Sequence, residues 1–338
     1  MPDICITEHT VLGQKHSTFY LAAGPQDGPL IIFAHGWPEL SISWRHQLPF
    51  FAGMGFRAIA PDMRGYGRST CHAALNDYSQ ELIVEDMLAL LTSLGQESAI
   101  WVGHDLGSPV VWNLASHHPE RCQAVASLCV PYATVERGLE QLISLVDRQV
   151  YPLDEFPAGQ WEYMRFYEEN FTNATASMDA NPSNMVQMLF RGGSANSIGT
   201  PSATAMVRKN GGWFGGADEA PLVPRDTELL NLQDLHAYAS ALTRNGFSGP
   251  NAWYMNHLTN AEYASRALND GRLDLPVLLI SARYDNTCET LTSSMAEPMR
   301  ALCSDMSEAI VDGGHWLAQE QPFAVNHALA RWLMTRVI

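Results

Sequence analysis

The sequence is organised around one stretch, Trp101–Ser108 (WVGHDLGS). An apolar run ends there and a helical pattern follows directly, which predicts a sharp turn from a strand into a helix. Gly103 and Gly107 lie two positions to either side of Asp105, the small-x-nucleophile-x-small spacing of a nucleophile elbow. Small residues are needed because the central residue is strained and leaves no room for neighbouring side chains. Asp105 is therefore a candidate nucleophile, although the same spacing alone also fits an aspartate that only caps the helix.

Apolar strands and amphipathic helices alternate on both sides of this stretch. Leu30–Ala34 is a continuous apolar run, typical of a central strand in a parallel sheet. Further strands are predicted at Arg57–Ala60, Ala99–Val102, Val125–Leu128, Val277–Ile280 and Ala309–Val311. Helical periodicity is clearest at Tyr78–Leu94 and Pro322–Val337, and short runs at Ile4–Thr7 and Ser17–Leu21 predict an antiparallel opening pair of strands. The alternation indicates a doubly wound α/β sheet.

The alternation stops between about residues 132 and 258. Helical patches are predicted there at Leu139–Val146, Trp161–Glu169, Asn184–Phe190 and Leu230–Leu242. The glycine-rich run Lys209–Gly216 is interpreted as a flexible loop. We therefore predict a core domain made of residues 1–132 and 259–338, with a mainly helical lid of residues 133–258 inserted in it.

Three side chains are predicted to act together in catalysis. A carboxylate nucleophile such as Asp105 suits attack at a saturated carbon, which leaves an alkyl ester on the enzyme. Hydrolysis of that ester needs a base, and His315 lies in a loop just after the last strand. Asp285 follows the preceding strand and can hold the imidazole in the required tautomer. The order nucleophile, acid, histidine is that of the α/β-hydrolases.

The run that follows the central strand is predicted to supply an oxyanion hole. The backbone amide of Trp37 is the expected first donor, and the amide of Leu106 the second. These donors would stabilise the oxyanion that forms when water attacks the ester of Asp105. A simple Gly-Pro turn would explain the composition of the run but not its place opposite the elbow.

Four motifs extend these observations: His35–Pro38 (HGWP), Asp62–Ser69 (DMRGYGRS), Gly103–Gly107 (GHDLG) and Gly314–Trp316 (GHW). Together they resemble the soluble epoxide hydrolases of the α/β-hydrolase superfamily, from about residue 10 to the C-terminus. The resemblance implies the α/β-hydrolase fold and the conversion of an epoxide and water to a vicinal diol. It also implies that two lid tyrosines, Tyr163 and Tyr254, donate hydrogen bonds to the epoxide oxygen. Tyr167 is a nearby competitor for the role of Tyr163.

The surroundings of the site are also predicted. We expect the pocket to include His35, Pro38, His104, Trp161 and Trp316, together with Trp37. One departure from many relatives is Leu106, which replaces a Trp directly after the nucleophile. Because this position contributes mainly a backbone amide, catalysis should survive, whereas the pocket wall is changed.

Composition argues against several other classes of function. The 338 residues include 36 Asp and Glu against 20 Lys and Arg, a formal charge of −16, which disfavours binding to nucleic acid or anionic membranes. No run is apolar enough to span a membrane, and Met1–Glu8 lacks the pattern of a secretory signal. We therefore expect a cytoplasmic protein, and the resemblance implies that it is an enzyme whose substrates are a small epoxide and water. No cofactor is expected, and no metal, because ligand spacing is lacking around the histidines; a homodimer is compatible with the sequence.

Two alternatives stay open at this stage. A haloalkane or haloacid dehalogenase uses the same Asp-His-Asp logic on a carbon–halogen bond, but Leu106 offers no group to stabilise a halide. A non-catalytic binding protein on the same fold would be expected to have a broken triad. A serine esterase is excluded because Asp105 occupies the nucleophile position.

Overall fold

The computed structural model describes residues 4–337, in which eight strands form one sheet. The strands are β1 (Thr7–Leu12), β2 (Ser17–Ala23), β3 (Leu30–Ala34), β4 (Arg57–Pro61), β5 (Ala99–His104), β6 (Cys122–Leu128), β7 (Val277–Ala282) and β8 (Met306–Val311). Their order is β1-β2-β4-β3-β5-β6-β7-β8. Strand β2 is antiparallel to β1 and β4, and all other neighbours are parallel. The predicted α/β class is confirmed.

The helices connect and cover these strands. They are α1 (Gln47–Gly53), α2 (Gln80–Ser93), α3 (Gly107–His117), α4 (Leu139–Ser144), α5 (Glu162–Ala180), α6 (Pro182–Leu189), α7 (Leu232–Asn245), α8 (Ser248–Ala252), α9 (His257–Ser265), α10 (Glu297–Leu302), α11 (Leu317–Glu320) and α12 (Pro322–Arg336). Helix α2 packs against α3 and α9, and α1 packs against α12. Every residue of β3, β5 and β7 is buried, which explains why these strands read as unbroken apolar runs.

Two boundaries differ from the sequence-based expectation. The first strand begins at Thr7 rather than Ile4, because its pairing with β2 runs from Thr7 opposite Ala22 to Leu12 opposite Ser17. Tyr78 belongs to a short 3₁₀ turn, and the long helix begins only at Gln80. Residues 1–3 of the stretch inspected for a secretory signal lie outside the described residues.

The segment from 133 to 258 contributes helices and turns but no strand to the described sheet. Its longest helix, α5, continues well past the predicted Trp161–Glu169 and carries a non-helical residue, Asn170, within it. The division into core and lid domains at residues 132 and 258 stays a prediction. Within residues 4–337, the structure has no helix with both the length and the apolar character needed to cross a membrane.

Candidate active site

The turn between β5 and α3 has the geometry of a nucleophile elbow. Asp105 has a φ of 47°, a left-handed conformation that costs free energy for a residue with a side chain. A Cβ atom added to Gly103 would lie 2.6 Å from Ser108 Cα, and one added to Gly107 would lie 2.2 Å from Ala34 O. Larger residues at either position would therefore collide with the backbone that holds Asp105 in place.

The other two predicted triad residues meet Asp105 at the C-terminal edge of the sheet. Asp285 follows β7 and His315 follows β8, so parallel pairing brings both loops to the same edge. Asp285 Oδ2 lies 2.8 Å from His315 Nδ1, and His315 Nε2 lies 3.4 Å from Asp105 Oδ2. Asp285 Oδ1 accepts the backbone amides of Thr287 and Cys288 at 3.0 and 2.9 Å, which fixes the carboxylate relative to the imidazole.

The electrostatics of the triad follow from these contacts. Burial alone would lower the pKa of His315, but the carboxylates of Asp285 and Asp105 hold it well above its usual range. Burial alone would raise the pKa of Asp285, and His315 together with the two backbone amides lowers it. The pair therefore favours an ionised Asp285 that holds a proton on the Nδ1 atom of His315.

The run after β3 approaches Asp105 from the other side. The Trp37 amide donates a hydrogen bond of 2.6 Å to Asp105 Oδ1, because β3 and β5 are neighbouring parallel strands. The Leu106 amide belongs to the same turn as Asp105, at the start of α3. The Trp37–Pro38 peptide bond is cis. The Trp37 amide, one of the two donors of the predicted oxyanion hole, is therefore in contact with the Asp105 carboxylate because of the hydrogen bond to Oδ1.

Two tyrosines from the segment 133–258 line the same cavity as Asp105. Tyr163 and Tyr254 are both buried, and their ring centroids are 5.4 Å apart. Burial raises the pKa of both hydroxyls well above the usual value, and the negative charge of Asp105 adds to this effect. Both phenols are therefore protonated donors at neutral pH.

These groups meet in one cavity of about 490 Å³. Asp105, Asp285 and His315 line it together with Tyr163 and Tyr254. The volume lies within the range of small-molecule sites. The cavity brings together two carboxylates, an imidazole and two phenol hydroxyls.

Known proteins resemble this chain in both sequence and fold. A family model described as alpha/beta hydrolase fold matches residues 29–322. Epoxide hydrolase A of Mycobacterium tuberculosis is 34% identical over 316 residues, which cover 92% of this chain and 92% of that protein. The chain belongs to the epoxide hydrolase family of the α/β-hydrolase superfamily.

Two further similar proteins support the assignment of this chain to the epoxide hydrolase family. Bifunctional epoxide hydrolase 2 of Sus scrofa is 31% identical over 309 residues, which cover 91% of this chain but 52% of that protein. The chain thus spans about half the length of the pig relative. The crystal structure of Epoxide Hydrolase A from Mycobacterium thermoresistibile superimposes with a TM-score of 0.79 at 29% identity, covering 98% of this chain and 99% of the other. The predicted family resemblance is confirmed.

In this member of the epoxide hydrolase family, a buried ion pair lies beneath the elbow. His104 Nδ1 lies 2.7 Å from Glu39 Oε2, and both side chains are 1% exposed. Burial alone would lower the pKa of His104, but Glu39 raises it. His104 Nε2 donates to the backbone carbonyl of His315 at 2.7 Å, so the pair connects the elbow to the histidine loop.

Several residues predicted to form the pocket are buried without lining the cavity. This set consists of His35, Pro38, His104 and Trp161. Leu106, which was predicted to supply a backbone amide, is also buried and does not line the cavity. His35 accepts the Met63 amide at Nε2 and lies 2.9 Å from Gly36 O through Nδ1, so it supports the loop of Trp37. Trp37 and Trp316 do line the cavity, and Trp316 Nε1 donates to Leu189 O at 2.8 Å.

Sequence reasoning missed Trp213 as a pocket residue in this epoxide hydrolase family member. Its indole stacks on Trp37 with ring centroids 5.6 Å apart and meets Tyr163 edge-on at 5.7 Å. It lies in the turn-rich run interpreted as a flexible loop. The available signal was a large aromatic residue between two pairs of glycines, since such a side chain normally finds an apolar partner.

Two groups of side chains near the site have spacing that could hold a metal: His104, Cys129 and His315, and Asp285, Cys288 and His315. The members of the first group are far apart in the sequence, whereas Asp285 and Cys288 of the second group lie three positions apart in one loop. The nitrogen atoms of His104 already bind Glu39 and a carbonyl, and Nδ1 of His315 binds Asp285. Burial raises the pKa of the Cys288 thiol to about 12, which disfavours the thiolate that a metal requires.

Proposed function

We propose that this protein hydrolyses an epoxide to a vicinal diol through a covalent alkyl ester on Asp105. The observation that carries the proposal is the shared cavity, in which two protonated tyrosines face a carboxylate backed by a histidine. The names of the relatives, each an epoxide hydrolase, support the same reaction. We further propose that the segment 133–258 acts as the lid that carries Tyr163 and Tyr254.

In the first step, Asp105 Oδ2 forms a bond to one epoxide carbon and the carbon–oxygen bond of the ring breaks. The departing oxygen takes a proton from Tyr163 or Tyr254, and the other hydroxyl donates a hydrogen bond. An alkoxide needs this help because it would otherwise leave as a strong base at neutral pH. The product is an alkyl ester of Asp105.

In the second step, the ester no longer carries the Asp105 charge that helps to raise the pKa of His315, so His315 Nε2 can act as a base. It removes a proton from water, whose oxygen attacks Cγ of the Asp105 ester. The resulting oxyanion accepts hydrogen bonds from the amides of Trp37, which already contacts Oδ1, and of Leu106. The ester bond then breaks, and the diol oxygen takes the proton held by His315. The proton released when the new Asp105 carboxyl ionises restores the tyrosine.

The reaction class is tested by incubating the purified protein with aryl and alkyl epoxides and following diol formation. Haloalkanes and haloacetate form a parallel panel that reports halide release. We expect diol from the wild type, none from Asp105→Asn, and wild-type turnover from the matched exposed change Asp154→Asn. Halide release without diol would establish a dehalogenase instead, and no product on either panel from a folded sample would favour a binding protein.

The covalent intermediate has a separate test. Removal of the base in His315→Gln should block the second step while leaving the first possible. We expect intact-mass analysis of this variant, after exposure to an epoxide, to show a mass increase equal to that of the epoxide. An unmodified mass in a variant that still consumes the epoxide would refute an ester on Asp105.

A further inference from the structure

One carboxylate is shared by two loops that meet beside the catalytic histidine. Glu320 is the last residue of α11. Its Oε1 atom accepts the amide of Gly193 at 3.0 Å, and its Oε2 atom accepts the amide of Gly314 at 2.7 Å. Gly193 belongs to the segment 133–258, whereas Gly314 directly precedes His315. The chemistry proposed above does not use Glu320.

Other carboxylates near the cavity bind backbone amides of one segment only. Asp226 accepts the amides of three residues, all within the segment 133–258. Oδ1 of Asp285 accepts two amides of its own loop. Within residues 4–337, Glu320 is the one carboxylate that accepts backbone amides both from the segment 133–258 and from the rest of the chain. It therefore joins that segment to the loop of His315.

The two glycine backbones are in direct contact at this joint. A Cβ atom added to Gly193 would lie 2.4 Å from Gly314 N, and one added to Gly314 would lie 2.6 Å from Gly193 Cα. Both positions therefore require glycine. Both glycines also line the cavity, so the contact forms the part of its wall that is next to His315.

The position of the imidazole depends on this contact through the backbone. His315 Nδ1 lies 2.8 Å from Asp285, and Nε2 lies 3.4 Å from Asp105. The second distance is beyond the usual length of a hydrogen bond, so a small shift of the loop would take Nε2 away from the reacting groups. The amide that Glu320 binds belongs to Gly314, the residue just before His315.

The groups that act in the first step are held elsewhere. Asp105 lies in the elbow between β5 and α3. Tyr163 lies on α5, and Tyr254 lies in a short turn that follows α8. In the proposed reaction Nε2 of His315 acts only in the second step. A loosened joint at Glu320 should therefore affect the two steps unequally.

We propose that Glu320 is a positioning residue for hydrolysis of the ester: it holds the His315 loop against the segment 133–258, so that Nε2 reaches the attacking water. The inference rests on the proposed epoxide hydrolysis. Glu320 acts through Gly314 and does not touch the reacting atoms. A carboxylate suits this place because its two oxygens satisfy two N–H donors at once, and hydrogen bonds to an ionised acceptor are the stronger kind.

Single-turnover kinetics test the proposal, with tryptophan fluorescence and intact mass following the ester. Glu320→Gln keeps the length of the side chain but offers one oxygen and an NH₂ group to two N–H donors, so one amide loses its partner. We expect hydrolysis of the ester to slow by about 10-fold, less than the roughly 100-fold that a misplacement of about 1 Å can cost. Formation of the ester should be little changed, so the ester should accumulate.

Two further variants make the result specific. Gly193→Ala leaves the carboxylate in place but forces the two backbones apart, so it should slow the same step, and it decides the question if Glu320→Gln fails to fold. Asp226→Asn removes a carboxylate that binds amides within the segment 133–258 only, and it should leave both steps unchanged. Equal slowing of both steps, no slowing of either, or the same slowing in Asp226→Asn would overturn the role of Glu320.

A measurement without substrate separates this inference from the proposed reaction. Nuclear magnetic resonance titration gives the pKa of His315, whose signal is identified by its absence from His315→Gln. The contacts with Asp285 and Asp105 hold this pKa well above its usual range, so it should fall in Glu320→Gln and stay unchanged in Asp226→Asn. An unchanged pKa in Glu320→Gln would contradict a positioning role. If no epoxide gives diol, the proposed reaction fails, whereas the titration still decides whether Glu320 positions His315.

Discussion

Replacing Glu39 by glutamine tests the ion pair beneath the elbow. The Glu39 carboxylate accepts hydrogen bonds from the Gly36 amide, His104 Nδ1 and Gln319 Nε2 at 3.1, 2.7 and 3.1 Å. Glutamine keeps the shape and one acceptor oxygen but removes the charge, so His104 must lose its proton or stay charged without a partner. We expect a less stable protein and a displaced His315 loop.

The magnitude follows from the pKa of Glu39. Burial alone would raise it, but His104 lowers it to about 2 from the ordinary value of 4.5. Since one pKa unit corresponds to about 1.4 kcal/mol, the native carboxylate contributes about 3 kcal/mol to the free energy of unfolding at neutral pH. A lowered carboxyl pKa stabilises the fold above pH 4.5, and the contribution is lost as the pH falls towards 2. The raised pKa of His104 is the other half of the same interaction and is not added.

Urea unfolding at several pH values, followed by tryptophan fluorescence, measures this contribution. Glu39→Gln should lower the free energy of unfolding by about 3 kcal/mol at pH 7, at the low end for a broken buried ion pair, and the difference should shrink below pH 4.5. The exposed change Glu155→Gln should have no effect, because Glu155 forms no ion pair within residues 4–337. A Glu39→Gln difference below about 1 kcal/mol, the level of a surface pair, or one independent of pH, would refute the reasoning.

Three further predictions concern the cavity. Tyr163→Phe or Tyr254→Phe should slow formation of the alkyl ester by about 100-fold or more, the range for a lost general acid. Stopped-flow fluorescence measures this rate. Unchanged rates in both variants would show that the tyrosines take no part in the reaction. Asp105→Asn should lower the pKa of His315, because it removes a carboxylate that raises that pKa; nuclear magnetic resonance titration of the imidazole checks this, and an unchanged or higher pKa contradicts it. Trp213→Ala should widen the cavity and raise kcat/KM for bulky epoxides relative to small ones, and an unaltered ratio would exclude Trp213 as a size-limiting wall.

The sequence predicted the sheet and the proximity of Asp105, Asp285 and His315 because both follow from where the strands end, which local patterns reveal. The catalytic roles of these three residues stay a prediction. The strands β3 and β5 are buried on both faces, so they appear as apolar runs whose ends can be located, and Asp105 lies where β5 meets a helix. The first strand was placed too early because apolar character at Ile4 does not determine which residues β2 can pair with.

The pocket wall was harder to predict because it depends on contacts between distant segments. Trp213 lies in a glycine-rich run whose local pattern predicts only a loop, and its place is set by stacking on Trp37. Conversely, Trp161 is a large aromatic residue of the kind that lines pockets, but it is buried and does not line the cavity. Glu39 directly follows a recognised motif, yet its role depends on His104, which a single sequence does not pair with it.

The two carboxylate oxygens of Asp105 are not equivalent, and this determines which oxygen atom enters the product. Oδ1 is held by the Trp37 amide, whereas Oδ2 lies towards His315. In the proposed reaction Oδ2 becomes part of the diol, and an oxygen from water replaces it in the carboxylate. By that reaction the protein would replace one of its own oxygen atoms at each cycle. In a single turnover in isotopically heavy water, the heavy oxygen would remain on the enzyme, and the new hydroxyl of the product would carry an oxygen that had belonged to Asp105.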